Sequence, residues 1–238
     1  MRIAACVLAA VLAACGGLAT DSEQDDAIQG GKKDNGHPAV GLVWMSSGGF
    51  CTGTLIAPQV VLTAAHCVTD TVASFYTGTG TASTNISEPT GLTPHAVDKQ
   101  IGYPGYKSGT CPNQTGDVGL IHLSQPLSGV TPLKLAAGAP AAGASCTAVG
   151  FGDHSGTFGQ KRSATEKVKS SDAATVTADK GTGIADHGDS GGPLLCGSAI
   201  SGTTSCHNDG NYPAHSEEFY ARVDAFKPWI QQIVGSWR

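Results

Sequence analysis

The stretch HGDSGGPLLC, residues His187–Cys196, places Ser190 directly after an aspartate and among glycines. Such glycines suit a surface turn. They equally suit a serine that a reactant must reach while neighbouring backbone N–H groups point into open space. In the second case the N–H groups of Gly188 and Ser190 point at one spot, and a bulky residue at 188 would hinder that turn. The rest of the chain decides between these interpretations.

Composition and charge narrow the class of protein. The chain has 238 residues, of which 33 are glycine and only 14% are charged, and its net charge is −5. Few charges and many glycines are typical of all-β proteins with many turns, and the length allows one or two domains. A negative net charge without a run of Lys or Arg argues against nucleic acid as a partner.

The first 27 residues do not look like part of the folded domain. Residues 1–15 combine one arginine with an apolar run too short to span a membrane, which predicts a signal peptide. Residues 12–15 also resemble a bacterial lipoprotein signal, in which Cys15 would carry the lipid; the alternative is an ordinary cleavage site. The acidic segment within 16–27 predicts a short disordered propeptide. We therefore expect a secreted or extracytoplasmic protein, either free or lipid-anchored to a bacterial membrane.

The cysteine count fits this compartment. Eight cysteines are present, and six remain if Cys6 and Cys15 do not take part in the fold. Six cysteines allow three disulfides, which persist outside the cytoplasm. No CxxC or HExxH spacing occurs, so the sequence predicts neither a metal site nor a cofactor.

Apolar patterning predicts short strands followed by one helix. Strands are expected at 40–44, at 51–61 with a turn at 57–59, at 117–123 and at 146–152, and a helical turn is expected within 62–67. Residues 224–237, DAFKPWIQQIVGSW, have apolar residues at helical spacing. They predict an amphipathic C-terminal helix with Pro228 in its first turn.

A reactive serine needs a base that takes its proton, and the base is usually oriented by a carboxylate. Among eight histidines we favour His66, because it stands in LTAAHC beside Cys67. A disulfide from Cys67 to Cys51, 16 residues earlier, would fix that loop. Asp117 is the favoured acid, because it opens an apolar strand where an ionised carboxylate is costly without hydrogen-bond partners.

Five segments in one order carry a resemblance to a known family: IQGG at 28–31, LTAAHC at 62–67, DVGLIHL at 117–123, GDSGGP at 188–193 and FYARVDAFKPWI at 219–230. The chain resembles the trypsin/chymotrypsin family of serine proteases from residue 28 to about 237. The resemblance implies a protease domain at 28–238, built from two six-stranded antiparallel β-barrels packed together with a C-terminal α-helix. It also implies protein or peptide substrates. We expect a monomer, with a protease inhibitor as a further partner.

Carried over residue by residue, the resemblance implies that Ser190 is the nucleophile, His66 the general base and Asp117 the acid that orients it. The N–H groups of Gly188 and Ser190 would form the oxyanion hole. Ser205 matches the serine that supports the buried aspartate.

Ile28 matches the residue at which precursors of this family are cut. Its new amino group would pair with Asp189, so we expect a zymogen. The cut would follow Ala27, where the family usually has Arg or Lys. The activator is then either the enzyme itself, with a preference for small residues, or a different protease. The alternative is that 16–27 is only a linker.

The resemblance further implies two disulfides, Cys51–Cys67 and Cys146–Cys196. Cys111 and Cys206 remain. Alignment with the family puts both at one wall of the substrate groove, so we expect them to form the third bridge.

The residues of the expected substrate pocket depart from the trypsin pattern. Ile184 takes the place of the floor aspartate that selects Lys or Arg. Glu218 at the pocket wall could attract a basic side chain or shorten the pocket, and His187 and His207 at its entrance could favour an acidic one. The simplest alternative is that these three face solvent. We expect cleavage after apolar or small residues.

Two other functions fit parts of the sequence. GDSGG matches the G-x-S-x-G elbow of lipases and esterases, but that fold needs helical repeats, and the acid and histidine after the serine would have to be Asp209 and His215. A non-catalytic binding module on the protease fold is the second alternative, although such proteins usually lack one member of the triad.

Overall fold

The structure is a computed structural model of the 238-residue chain, and it describes residues 28–85, 87, 89–208 and 216–237. The predicted signal peptide, the lipid-anchor cysteine and the predicted propeptide therefore lie outside the described residues. The described chain forms two closed six-stranded antiparallel β-barrels and a C-terminal helix, which confirms the predicted fold class.

The N-terminal half of the described chain forms the first barrel. After a two-residue strand, β1 (Lys32–Lys33), its strands are β2 (Val40–Met45), β3 (Phe50–Ala57), β4 (Val60–Thr63), β5 (Val72–Gly78), β6 (Leu92–Gly102) and β7 (Gly119–Leu123). They pair in the closed order β2-β3-β4-β7-β6-β5. A single 3₁₀ turn, His66–Val68, follows β4 at the place where the sequence predicted a helical turn.

The second barrel follows a short parallel strand, β8 (Lys134–Leu135). Its six strands are β9 (Ser145–Gly150), β10 (Arg162–Ser171), β11 (Thr175–Lys180), β12 (Pro193–Cys196), β13 (Ala199–His207) and β14 (Glu217–Arg222). They pair in the order β9-β10-β11-β14-β13-β12, and β12 returns to β9 to close the ring. β1 extends this sheet on β10, and β8 lies along β13.

The strand β2 shows how the two barrels pack. Its first four residues are all buried, whereas the sequence pattern suggested alternation. Val43 belongs to the core of the first barrel. Leu42 instead joins a cluster that also contains Phe151 and Leu195 of the second-barrel region. Both faces of β2 are buried because one faces the barrel interior and the other faces the neighbouring barrel.

The C-terminal helix α1 spans Val223–Ser236. It buries Ile230 in the cluster that joins the two barrels. The helix begins directly after β14, so Pro228 is its sixth residue. The prediction that Pro228 lies in the first turn is therefore wrong. Proline lacks an N–H, so the usual hydrogen bond to the carbonyl four residues earlier is absent there.

The fold excludes the lipase or esterase interpretation. That architecture needs a parallel sheet with helices on both faces, whereas both barrels here are antiparallel and α1 is the one α-helix of the described residues. No helix in the described part of the chain is long and apolar enough to cross a membrane.

Candidate active site

The predicted catalytic residues lie on loops at the junction of the barrels. His66 follows β4, and Asp117 lies two residues before β7, both in the first barrel. Ser190 precedes β12 of the second barrel. The two halves are joined through Thr52 of β3, whose N–H donates to the Ser190 carbonyl at 2.8 Å and whose hydroxyl donates to the Gly188 carbonyl at 2.9 Å.

His66 and Asp117 form a direct pair. Nδ1 of His66 lies 2.7 Å from Oδ2 of Asp117, and the His66 backbone N–H donates to Oδ1 at 2.9 Å. Burial alone would raise the pKa of Asp117, but the hydrogen bonds and charge of His66, with a hydrogen bond from Ser205, hold that pKa below its ordinary value. The carboxylate is therefore ionised and accepts only, which makes Nδ1 the donor.

Two further side chains hold the buried carboxylate. Ser205 of β13 donates to Asp117 Oδ2 at 2.7 Å, so the residue singled out by the resemblance does contact the aspartate. Gln114 also donates to Oδ2, at 2.7 Å, and to the Ser205 hydroxyl at 2.9 Å. Sequence reasoning missed Gln114. Its only signal was its place three residues before Asp117, and many polar loop residues share such a place.

Ser190 sits on a tight turn with its side chain half-buried. The turn is held by hydrogen bonds from Gly192 N–H to the Asp189 carbonyl and from Gly191 N–H to the Thr204 carbonyl, both 2.8 Å. Gly191 has φ +78°, and a Cβ there would lie 2.1 Å from Thr63 Oγ1, so the position needs glycine. Within the described residues, the Ser190 hydroxyl makes no hydrogen bond to His66. Catalytic hydrogen bonds are often long without substrate and shorten in the complex.

Gly188 has a backbone conformation that favours glycine. Its φ is +94°, and an added Cβ would meet the Phe50 ring at 2.3 Å. Within residues 28–85, 87, 89–208 and 216–237, neither the Gly188 N–H nor the Ser190 N–H donates to a protein acceptor.

The residue at the predicted activation cut is buried beside this loop. Ile28 is 1% exposed and packs in the core of the second barrel. The next residue, Gln29, pairs with Ile184 through its backbone and donates to Asp186 Oδ2 at 3.1 Å. Asp189 is fully buried, and its carboxylate accepts from the N–H groups of Gly152 and Asp186. Burial raises the pKa of Asp189 to about 7.

A second buried carboxyl lies beneath the loop and escaped sequence analysis. Glu166 of β10 accepts from the Tyr220 hydroxyl at 2.7 Å and from the Ala185 N–H at 3.1 Å. Burial raises the pKa of Glu166 to about 8. Glu166 lies on a strand of alternating burial, and nothing in that sequence pattern marked it as functional.

The predicted pocket residues separate into buried and accessible pairs. Ile184 is fully buried and Glu218 is 1% exposed, so the alternative in which Glu218 faces solvent is excluded. Glu218 turns inward because it lies two residues before the buried Tyr220 on β14, and alternate residues of a strand share a face. Burial raises the pKa of Glu218 well above its ordinary value, and the nearby carboxyl of Glu166 raises it further. Burial therefore disfavours the charged form of Glu218.

The other two pocket residues are accessible. His187 is exposed and His207 is half-buried, and their rings meet edge to face with centroids 5.5 Å apart. Together with Asp186 they form a group whose possible metal-binding atoms all lie within 4.8 Å of one another.

Three disulfides fix the loops around the site: Cys51–Cys67, Cys146–Cys196 and Cys111–Cys206. The first holds the turn that carries His66. The third joins the segment before Asp117 to β13, one residue after Ser205. The sequence analysis expected the same three pairs.

Two antiparallel barrels, with a histidine–aspartate pair on one and a half-buried serine on a tight turn of the other, define the chymotrypsin-like class of protein. Comparison with known proteins agrees, since the family described as Trypsin matches residues 28–230. The chain therefore belongs to the trypsin family of serine proteases.

Curated relatives of similar length share this family. The platelet-aggregating proteinase PA-BJ of Bothrops jararaca is 29% identical over 236 residues, which covers 87% of this chain and 94% of that protein. The venom plasminogen activator LV-PA of Lachesis muta muta is 28% identical, with 84% and 83% covered. The snake venom serine protease homolog HS120 of Bothrops jararaca is 26% identical, with the same coverage. These venom proteins give no support to a bacterial origin or to a bacterial lipid anchor.

Proposed function

We propose that this protein is a serine endopeptidase whose catalytic residues are Ser190, His66 and Asp117. The observation that carries the proposal is the buried, ionised Asp117 held 2.7 Å from His66 Nδ1, beside a serine turn that hydrogen-bonds to the same barrel. Membership of the trypsin family supports protein or peptide substrates.

In the proposed acylation step, Ser190 Oγ attacks the carbonyl carbon of the scissile bond and His66 Nε2 takes the hydroxyl proton. Asp117 keeps the proton of the imidazole on Nδ1 and stabilises the positive charge that forms. The N–H groups of Gly188 and Ser190 donate to the oxyanion. His66 then gives its proton to the leaving amine, and the C–N bond breaks to leave an acyl group on Ser190.

Deacylation repeats these steps with water. His66 takes a proton from the water as its oxygen attacks the ester carbonyl, the same two N–H groups stabilise the second oxyanion, and His66 returns the proton to Ser190 Oγ. Each oxyanion donor is worth about 3–4 kcal/mol in enzymes of this kind. The turn at Gly188 is therefore part of the proposed catalytic machinery.

Activation by cleavage before Ile28 belongs to the same proposal. The segment after the cut is already anchored beside the Ser190 loop through Gln29, and Asp189 is a fully buried carboxyl in that loop. A new ammonium group at Ile28 would give Asp189 a counter-charge, and a buried charge is costly without one. Residues 16–27 then act as a propeptide behind the signal at 1–15.

The proposed substrate preference is for apolar or small residues before the cut bond. Ile184 offers no charge to a basic side chain. Burial raises the pKa of Glu218 well above its ordinary value, which weakens this carboxyl as a partner for a basic side chain. A secreted protein is supported by three disulfides, which persist in oxidising compartments, and by relatives named as venom proteins.

A non-catalytic binding module remains the second candidate, because one relative is named a protease homolog and His66 does not hydrogen-bond Ser190 in this structure. Protein that begins at Ile28 separates the two. We expect it to cleave an unfolded protein and a peptide library, and we expect Ser190→Ala or His66→Ala to lower kcat by at least about 10⁴-fold.

The matched control is His95→Ala. His95 of β6 forms a hydrogen bond with Thr77 of β5 and is not one of the proposed catalytic residues, so its removal should leave kcat unchanged. Correctly folded protein that starts at Ile28 and cleaves nothing would point to the binding module.

A further inference from the structure

We propose that Asp186, His187 and His207 form a binding site for Zn²⁺ at the entrance of the substrate pocket. The three side chains come from two separate elements. Asp186 and His187 lie on the loop before β12, and His207 ends β13. The spacing of metal-binding motifs in the sequence could not reveal the site, because 20 residues and a change of strand separate its two parts.

The chemistry of the donors selects the metal. Two imidazoles and one carboxylate are typical zinc ligands, and a set of three leaves the fourth tetrahedral position for water or a substrate atom. Ca²⁺ and Mg²⁺ prefer oxygen ligands throughout, so two histidines disfavour them.

The distances are close to those of a bound ion. Ligand atoms about 2.0–2.1 Å from a tetrahedral zinc lie about 3.4 Å from one another. The candidate atoms here already lie within 4.8 Å of one another. The distances between these atoms would have to shorten by at most about 1.4 Å for one ion to bind all three.

Two of the three ligands are held in place by the fold. Asp186 is 6% exposed; its Oδ1 accepts from the His187 N–H at 2.7 Å and its Oδ2 accepts from Gln29 at 3.1 Å. A carboxylate oxygen has a second lone pair, so both oxygens can still bind a metal. His207 follows Cys206, whose bond to Cys111 fixes the end of β13. Such supporting contacts usually orient metal ligands.

Another group of potential ligands, formed by Cys51, Cys67 and His66, does not compete. Its two cysteines are bonded to each other, and zinc needs thiolates.

A bound zinc would join the loop of the proposed nucleophile to β13. His187 directly precedes Gly188, so the ion would lie beside the proposed oxyanion hole and limit access to Ser190. We therefore expect Zn²⁺ to inhibit peptide cleavage reversibly. This consequence rests on the proposed function, whereas metal binding itself does not.

The test measures binding in protein that carries Ser190→Ala and no histidine tag, so that no proteolysis intervenes. Equilibrium dialysis should give one bound Zn²⁺ per chain, and Co²⁺ as a spectroscopic probe should give the intense visible bands of a tetrahedral site. His187→Gln, His207→Gln and Asp186→Asn should each weaken Zn²⁺ binding at least about tenfold.

The control is His37→Gln. His37 also lies beside a carboxylate, with its Nδ1 2.6 Å from Asp34 Oδ2, but it is not one of the proposed ligands, so this variant should bind Zn²⁺ as before. Absence of bound Zn²⁺ would overturn the proposal. Unchanged Zn²⁺ binding in each of the variants His187→Gln and His207→Gln would also overturn it, as would loss of Zn²⁺ binding in His66→Gln. In active protein, the variants at 187 and 207 should remove Zn²⁺ inhibition. If no peptidase activity exists, the dialysis result still decides the metal site.

Discussion

Gln114 donates a hydrogen bond of 2.7 Å to the same oxygen of Asp117 that His66 contacts. It also binds the Ser205 hydroxyl, so the carboxylate is held by side chains from both barrels. We expect Gln114→Leu to lower kcat by about tenfold with little change in KM, because the glutamine orients the aspartate and does not touch substrate.

Steady-state kinetics on a short peptide measures this split. Gln59→Leu is the matched control, because Gln59 donates to the Leu123 carbonyl in the same barrel but away from the site. A rise in KM with normal kcat would show that Gln114 acts on substrate binding instead.

Gly188 should tolerate no side chain. Alanine there would combine an unfavourable φ of +94° with a Cβ 2.3 Å from the Phe50 ring, and the turn would have to move. Since displacement of one oxyanion donor costs about 10²–10³-fold in kcat, we expect a loss of that size for Gly188→Ala. The comparison is Gly197→Ala, which has φ +70° but open space around its Cβ. Equal activity of these two variants would contradict the assigned role of the Gly188 N–H.

The Cys111–Cys206 bridge should stabilise the site as well as the fold. It links residues 95 apart in the sequence, and bridges of this kind typically contribute about 2–4 kcal/mol to the free energy of unfolding. The double variant with serine at both positions should unfold at lower urea concentration and lose kcat, because Ser205 and Gln114 lie near its two ends. If the variant keeps both its stability and its kcat, the bridge stabilises neither the fold nor the site.

The buried Glu166 predicts how stability changes with pH. Its pKa in the folded protein is about 8, against an ordinary value of 4.5. The folded state therefore binds more protons than the unfolded state between those values, and stability must fall as pH rises from about 4.5 to about 8. The groups that face this carboxyl are Tyr220, Asp189 and Glu218.

Glu166→Gln should remove much of this fall, because the amide stays uncharged. Urea unfolding at about pH 5 and about pH 8 measures the change in the free energy of unfolding. The stability of the variant relative to the wild type should be greater at about pH 8 than at about pH 5. Glu217→Gln serves as the control, since that carboxyl contacts Lys169 near the surface. An identical pH dependence for Glu166→Gln and wild type would contradict the raised pKa.

The fold was predictable because its signals are local or carried by motifs. The turn at 57–59 between β3 and β4 and the strand after Asp117 both follow from short apolar runs between turn residues. The position of Pro228 within the helix was predicted wrongly, because nothing in the local sequence shows that β14 runs directly into α1. The burial of β2 on both faces likewise depends on the neighbouring barrel.

Residue type and motif order predicted the contacts of His66 with Asp117 and of Asp117 with Ser205. The catalytic role of Ser190 stays a prediction. Contacts of residues outside the motifs were not predictable. Gln114 reaches Ser205 across 91 positions, and His207 meets His187 across a change of strand. Glu218 was expected at the pocket wall, but it shares a strand face with the buried Tyr220 and points into the interior.

The central claim is that Ser190 is an activated nucleophile, and covalent labelling tests it most directly. Protein that begins at Ile28 is treated with a fluorophosphonate probe, and the adduct is mapped by mass spectrometry of the peptide that contains Ser190. We predict one adduct per chain, on Ser190, absent from Ser190→Ala and strongly reduced in His66→Ala. Folded protein that starts at Ile28 and remains unlabelled, or carries the adduct on another residue, would contradict the account.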